Sequence, residues 1–157
     1  MKRRRDVTNP RILIPISKST SQDRLTEALH AISVFKDPLL VLFHVIEVPS
    51  RTTPLDTFPY QSQIDEARKR LEPVSGWLRE QRYNVKVKVV VARRTVDGIV
   101  EEANIGGYSV VLMLKRRPST GLAHLFDRLF DRSVTEAVIR SARCLVMTAL
   151  VDEESTS

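Results

Sequence analysis

The chain has 157 residues, 42% of them hydrophobic and 28% charged, with a formal net charge of +6. That length carries one domain with a real core and is short for two, and no apolar run approaches the roughly 18 residues that span a bilayer. The single cysteine, Cys144, excludes an intramolecular disulfide, and there is no Cys/His pair at metal-ligand spacing, no Walker loop and no nucleophile elbow.

Residues 1–10, MKRRRDVTNP, form a basic tail without an h-region or a small-residue cleavage site, so the expected location is the cytoplasm. RILIPI (11–16) is a β-branched run and predicts a strand. Ser19 with Gln22 fits a capping box, Ser21 is a second cap candidate, and Leu25, Ala28, Leu29, Ile32 and Phe35 then recur at helical spacing, predicting a helix over 21–35. PLLVLFHVIEV (38–48) is almost continuously apolar, as a strand covered on both faces should be. Residues 49–60 carry three prolines and no period, and predict a loop. Ile64, Ala67, Arg68, Leu71, Val74, Trp77 and Leu78 mark a helix through residue 81, with a kink expected at Pro73 and Gly76. Then come a strand over 84–91, a short helix over 95–104, and a buried strand over 108–114. Leu122, Leu125, Phe126, Leu129 and Phe130 suggest helix over 122–130. Ser133 and Glu136 form a second capping-box pattern, so a separate helix is expected over 133–141. CLVMTAL (144–150) predicts the last strand, and 151–157 a polar tail, which leaves one domain over 11–150.

Strands alternating with helices imply parallel pairing and right-handed crossovers. The expected fold is therefore α/β, a single doubly wound sheet of five mainly parallel strands with helices on both faces. In such sheets ligands bind beyond the carboxyl ends of the strands, where strand order reverses.

The segments at those ends carry a family likeness. ILIPISKSTS (12–21), VLFHVIEVP (41–49), VVVARRTVDGIVEEA (89–103) and SVTEAVIRSARCLVM (133–147), in that order, resemble the universal stress protein family over nearly the whole chain. The resemblance implies a Rossmann-like sheet of the adenine nucleotide alpha hydrolase-like kind, a role in stress response, and a homodimer in which C-terminal edge strands cover each other across a twofold axis. It also implies an ATP loop after the fourth strand, Gly-x2-Gly-x9-Gly-Ser/Thr, whose glycines let phosphates meet backbone N–H groups.

Here the chain departs from the family. In one register the first two glycines are replaced by Leu114 and Arg117, and the loop to Arg132 is longer than the motif allows. Anchored on Gly121 instead, the motif has Pro118 and Asp131 at its other glycine positions. The Asp expected after the first strand is Ser17. Val45 fits the adenine-contacting position and is also ordinary strand core; His44 reads as a packed strand histidine, and Ser133 matches the family's terminal Ser while also serving as a cap. Cations stand where the phosphates would be: Lys18 after the first strand, Arg93 and Arg94 after the third, and Lys115, Arg116 and Arg117 after the fourth.

Asp127 and Asp131 share a helical face with Arg128 and Arg132, which reads as ion pairing and not as a carboxylate dyad. With no helix bearing a basic stripe and no aromatic stacking platform, no specific nucleic-acid partner is expected. The reading that follows is a non-enzymatic sensor or adaptor without a cofactor. Its alternative is a module that takes ATP, another phosphate ligand or a small anion on arginine and lysine side chains; an acidic protein partner fits the same cations. Weak nucleotide hydrolysis, a third reading, has no general base or metal ligand to support it.

Overall fold

Ile12, Leu13 and Ile14 are consecutive in sequence and all fully buried, which only a strand covered on both faces allows. They form the middle of β1 (Arg11–Pro15) in a computed structural model that describes residues 9–17, 22–48, 58–116 and 124–151. The elements that follow are α1 (Gln22–Ile32), β2 (Leu39–Glu47), a 3-10 turn at Phe58–Tyr60, α2 (Gln61–Glu80), β3 (Asn84–Ala92), α3 (Thr95–Ile105), β4 (Val110–Arg116), α4 (His124–Ser141) and β5 (Leu145–Val151). All five strands are parallel, in the order β3-β2-β1-β4-β5. The doubly wound sheet is thus present, and the strand order reverses between β1 and β4.

The period-two alternation sorts side chains into two cores. Ile12, Ile14, Leu40, Leu42, Val110 and Leu112 join Leu25, Ala28 and Ile32 of α1 and Ile64, Leu71 and Leu78 of α2. Leu13, Val41, Phe43, Val111 and Met113 join Ile99 and Ala103 of α3 and Val138 of α4 on the other face. Burying a side chain such as Leu42 or Phe43 is worth about 1.5–3 kcal/mol, so these two layers hold the sheet between its helix pairs.

Two expectations meet the structure differently. α2 is one helix from Gln61 to Glu80 across Pro73 and Gly76. The separate helices over 122–130 and 133–141 are not found. α4 is continuous over His124–Ser141, and Ser133 lies inside it. Two physical reasons account for this. The stretch has no Gly or Pro, and its apolar period runs on from Leu125, Phe126, Leu129 and Phe130 into Val134 and Val138. A serine inside a helix costs only a few tenths of a kcal/mol, roughly, against that packing. The proposed caps Ser19 and Ser21 and the loop residues 49–57 lie outside the described residues.

The end of α2 holds a strained residue. Arg82 has φ 68°, with its N–H on Arg79 O at 2.9 Å and the Tyr83 N–H on Leu78 O at 3.1 Å. These two bonds are the Schellman closure, which normally puts glycine at this left-handed position. Arg82→Gly should therefore raise stability by about 0.5–1 kcal/mol, the left-handed penalty relieved less the added freedom of the unfolded chain. Urea unfolding checks it, and a loss of stability would contradict the reading of this cap.

Candidate ligand crevice at the carboxyl edge

The sheet opens where its order reverses. β1 and β4 are registered only at Ile12↔Val110 and Leu13↔Val111, whereas β4 and β5 stay paired out to Arg116↔Val151. Pro15 supplies the reason. In a central parallel strand, alternate residues aim their N–H groups at opposite neighbours. The Ile16 N–H donates to Phe43 O of β2 at 2.7 Å, so position 15 is one whose N–H would turn to β4. Proline has none to give. The β1–β4 ladder therefore stops short, and it is between these two strand ends that a topological switch point is expected to offer a crevice.

The candidate residues are distributed unevenly around it. Ser17 is exposed immediately beyond β1, and Lys115 is half-buried near the end of β4, whose last residue is Arg116. Lys18, Arg117 and Gly121 lie outside the described residues. Leu114, the first glycine position in one register, is half-buried and packs on the core beneath α1 and α2. β4 continues as a paired strand through that position, with Leu114↔Ala149 and Lys115↔Leu150.

Arg93 and Arg94 stand apart. They follow β3, which the strand order sets three intervals from β4. At about 4.8 Å per interval that is roughly 14 Å across the sheet. Both also have internal partners. Arg94 grips Asp97 with Nε on Oδ2 at 2.9 Å and Nη2 on Oδ1 at 2.8 Å. That hydrogen bond holds the Asp97 carboxyl below its ordinary range. Arg93 Nη1 donates to Val48 O at 3.4 Å. The N-terminus of α3 is occupied as well, because Glu47 Oε1 accepts the Thr95 N–H at 2.6 Å, a carboxylate placed on the positive end of the helix dipole. The rim is therefore two separate regions, and Lys115 and Arg116 belong to the one at the crevice.

Three further residues take structural places. Val45 is buried under α3, where a Cβ built on Gly98 would lie 2.9 Å from its Cγ2, so α3 seats closely on β2 and Val45 is core. His44 Nδ1–H donates to Ile16 O at 2.8 Å, tying the end of β1 to β2. Ser133 is exposed on α4, away from any helix start. Cys144 is half-buried, and burial pushes its thiol above the ordinary range, which lowers its nucleophilicity near neutral pH.

Sequence reading missed a polar network on the α3 side of the sheet. Glu102, 5% exposed, accepts Lys88 Nζ at 2.7 Å and Tyr108 Oη–H at 2.8 Å. The Arg11 guanidinium carbon lies 4.9 Å from the Tyr108 ring centroid, a cation–π contact, while its Nε is buried without a partner. Burial and the Glu102 carboxylate together push the Tyr108 hydroxyl well above its ordinary range. Arg11, Lys88 and Glu102 come from β1, β3 and α3, and Tyr108 from the connection between α3 and β4, so no local spacing announces them. Among the described residues no three His, Cys, Asp or Glu side chains gather as a metal site, and no helix is long and apolar enough to cross a membrane.

Comparison with known proteins agrees with this architecture. The model of the universal stress protein family matches residues 8–149. Among solved structures, the universal stress protein UspA of Lactobacillus plantarum is 18% identical with a TM-score of 0.65, covering 90% of this chain and 97% of that one. A universal stress protein of Archaeoglobus fulgidus is 20% identical with a TM-score of 0.62, covering 91% and 99%. A family member of Arabidopsis thaliana with AMP bound is 18% identical with a TM-score of 0.59, covering 94% and 95%. No curated protein matches the chain by sequence.

Proposed function

We propose that this chain, which belongs to the universal stress protein family, is a non-catalytic sensor or adaptor domain of the stress response that does not hold ATP in the backbone-wrapped manner its glycine-bearing relatives use. One observation carries the reading. Where the first motif glycine would stand, β4 remains a hydrogen-bonded strand with Leu114 packed into the core, followed by Lys115 and Arg116 still in register with β5. A backbone held extended in register with β5 cannot curl into a loop that wraps a phosphate, and the side chains of Leu114 and Lys115 stand where a glycine would let one approach. In a thermal-shift experiment, melts with and without ATP and Mg²⁺ should coincide; a saturable rise with ATP would sink the reading.

A second reading, from a different class, is favoured by the half-buried Lys115 beside the open β1–β4 crevice. In it the chain takes a phosphate-bearing ligand on side-chain cations, which can donate charge-assisted bonds without glycine. The relative with AMP bound shows that this fold can carry a nucleotide.

The assembly we propose is a homodimer through β5. The two edges of the sheet are unlike. β3 presents exposed Lys86 and Lys88, the kind of charge that blunts an edge against pairing. From Leu145 to Val151, β5 has no charged residue, and Leu145 and Leu150 are 58% and 49% exposed. An apolar edge with unpaired backbone groups calls for a cover, and a second copy supplies an identical one. Light scattering at micromolar concentration should give a dimer for the natural chain and a monomer for Leu145→Lys/Leu150→Lys. A monomeric natural chain would contradict this.

A further inference from the structure

The positive charge of the protein is concentrated at one edge of its sheet. Residues 68–94 hold nine of the 25 Lys and Arg but only two of the 19 Asp and Glu, so the other 130 residues carry 16 and 17 and are close to neutral. This stretch is α2 from Arg68 onward, β3 and the two residues after it. Ile64, Leu71 and Leu78 of α2 pack with Val85 and Val89 of β3, which brings the cations of both elements to one side of the molecule. β3 is also an open edge, for among the described residues it pairs with β2 alone. The Val48 N–H donates to Ala92 O at 2.9 Å, so the even-numbered residues of β3 turn their backbone groups to β2. Val85, Val87, Val89 and Val91 therefore turn theirs outward. The same period puts Lys86 on the α3 face of the sheet with Lys88, which reaches Glu102. Lys88 keeps a half-exposed side chain, and Lys86 is exposed with no ion pair among the described residues.

We propose that the β3 edge takes an extended acidic segment of a partner protein as a sixth strand, with carboxylates at every second position beside Lys86 and Lys88. The outward backbone groups of the four valines supply the affinity of strand addition, and the lysines select the charge. Apolar residues at the intervening positions of the ligand would meet Val87 and Val91, which α2 leaves half-buried. The same lysines turn away a second copy of this chain, whose own β3 would set like charges opposite each other. The inference goes beyond the adaptor reading and does not depend on what the crevice binds, since β3 lies two intervals from β1 and three from β4.

Fluorescence anisotropy on the full chain tests this, with a labelled short peptide of alternating glutamate and valine as the probe. The natural chain should bind it saturably, and Lys86→Glu should weaken binding on the order of tenfold. No saturable binding to the natural chain overturns the proposal, and so does an affinity that Lys86→Glu leaves unchanged. Two N-methylated forms of the peptide, read on the natural chain, then separate strand addition from plain charge attraction. Only one alternate set of the peptide's N–H groups can face β3. Methylating that set should abolish binding, and methylating the other should spare it. Equal binding of the two forms would mean a general polyanion surface, open to nucleic acid as well, and would overturn the added strand.

Discussion

Gly106→Ala should lower the stability of the fold by about 3 kcal/mol, at the upper end of what overpacking usually costs. Gly106 closes α3 at φ −83°, a conformation any residue adopts, so the backbone angle is not what demands glycine. The demand comes from Tyr108. A Cβ at position 106 would run into Tyr108 Cε2 and lie 2.8 Å from Glu102 O. The ring cannot swing away cheaply, since its hydroxyl is bonded to buried Glu102 and the Arg11 guanidinium lies over its face. Gly107 next to it is a different case. Its φ of 68° is left-handed and its Cβ position is open, so Gly107→Ala should cost only about 1 kcal/mol. Urea unfolding of the two variants distinguishes these causes. Shortening the ring by Tyr108→Ala should reduce the Gly106→Ala penalty by more than half, and an unchanged penalty would show the packing argument to be wrong.

Lys88→Met should cost about 2 kcal/mol, through the charge it leaves behind. The Glu102 side chain is 6% exposed and Lys88 is its cationic partner at 2.7 Å. Removing one member of a fully buried pair costs 3–5 kcal/mol, roughly, and the smaller figure reflects a Lys88 side chain that is 49% exposed and so already half in water. The remaining carboxylate would keep only the Tyr108 hydroxyl among the bonds described for it. Adding Glu102→Gln to Lys88→Met should restore at least about 1 kcal/mol, because a neutral amide needs no counter-charge. A double variant no more stable than the single one would mean that the lysine stem, and not its charge, does the stabilising.

The elements that were legible in the sequence are those with a strong local period. Ile12 to Ile14 and the run from Leu39 to Ile46 could only be buried strands, and their alternation with amphipathic segments implied the parallel sheet. The continuity of α4 was not legible in the same way. The Ser133–Glu136 start signal competed with an unbroken apolar stripe, and tertiary packing of Val138 against β4-side residues went with the stripe. The candidate site was legible as a place and not as a cluster. Chain order showed which residues follow strands, but only strand order reveals that Arg93 and Arg94 lie three intervals from Lys115. Asp97, three residues after Arg94, was a readable partner for it; Glu102, fourteen residues after Lys88 in sequence, was not. Pro15 was visible as a proline in a strand, yet the neighbour that loses its hydrogen bond can be named only once the Ile16–Phe43 bond is known.

The central claim is that β4 and its cations replace the glycine loop, and calorimetric titration of Mg²⁺–ATP into the natural chain and into Arg116→Ala/Arg117→Ala tests it most directly. The account predicts binding no tighter than about millimolar for the natural chain, worth roughly 4 kcal/mol, and loss of whatever binding there is in the double variant. Micromolar binding that survives both substitutions would contradict it, since ATP would then be held by a backbone that this structure commits to β5.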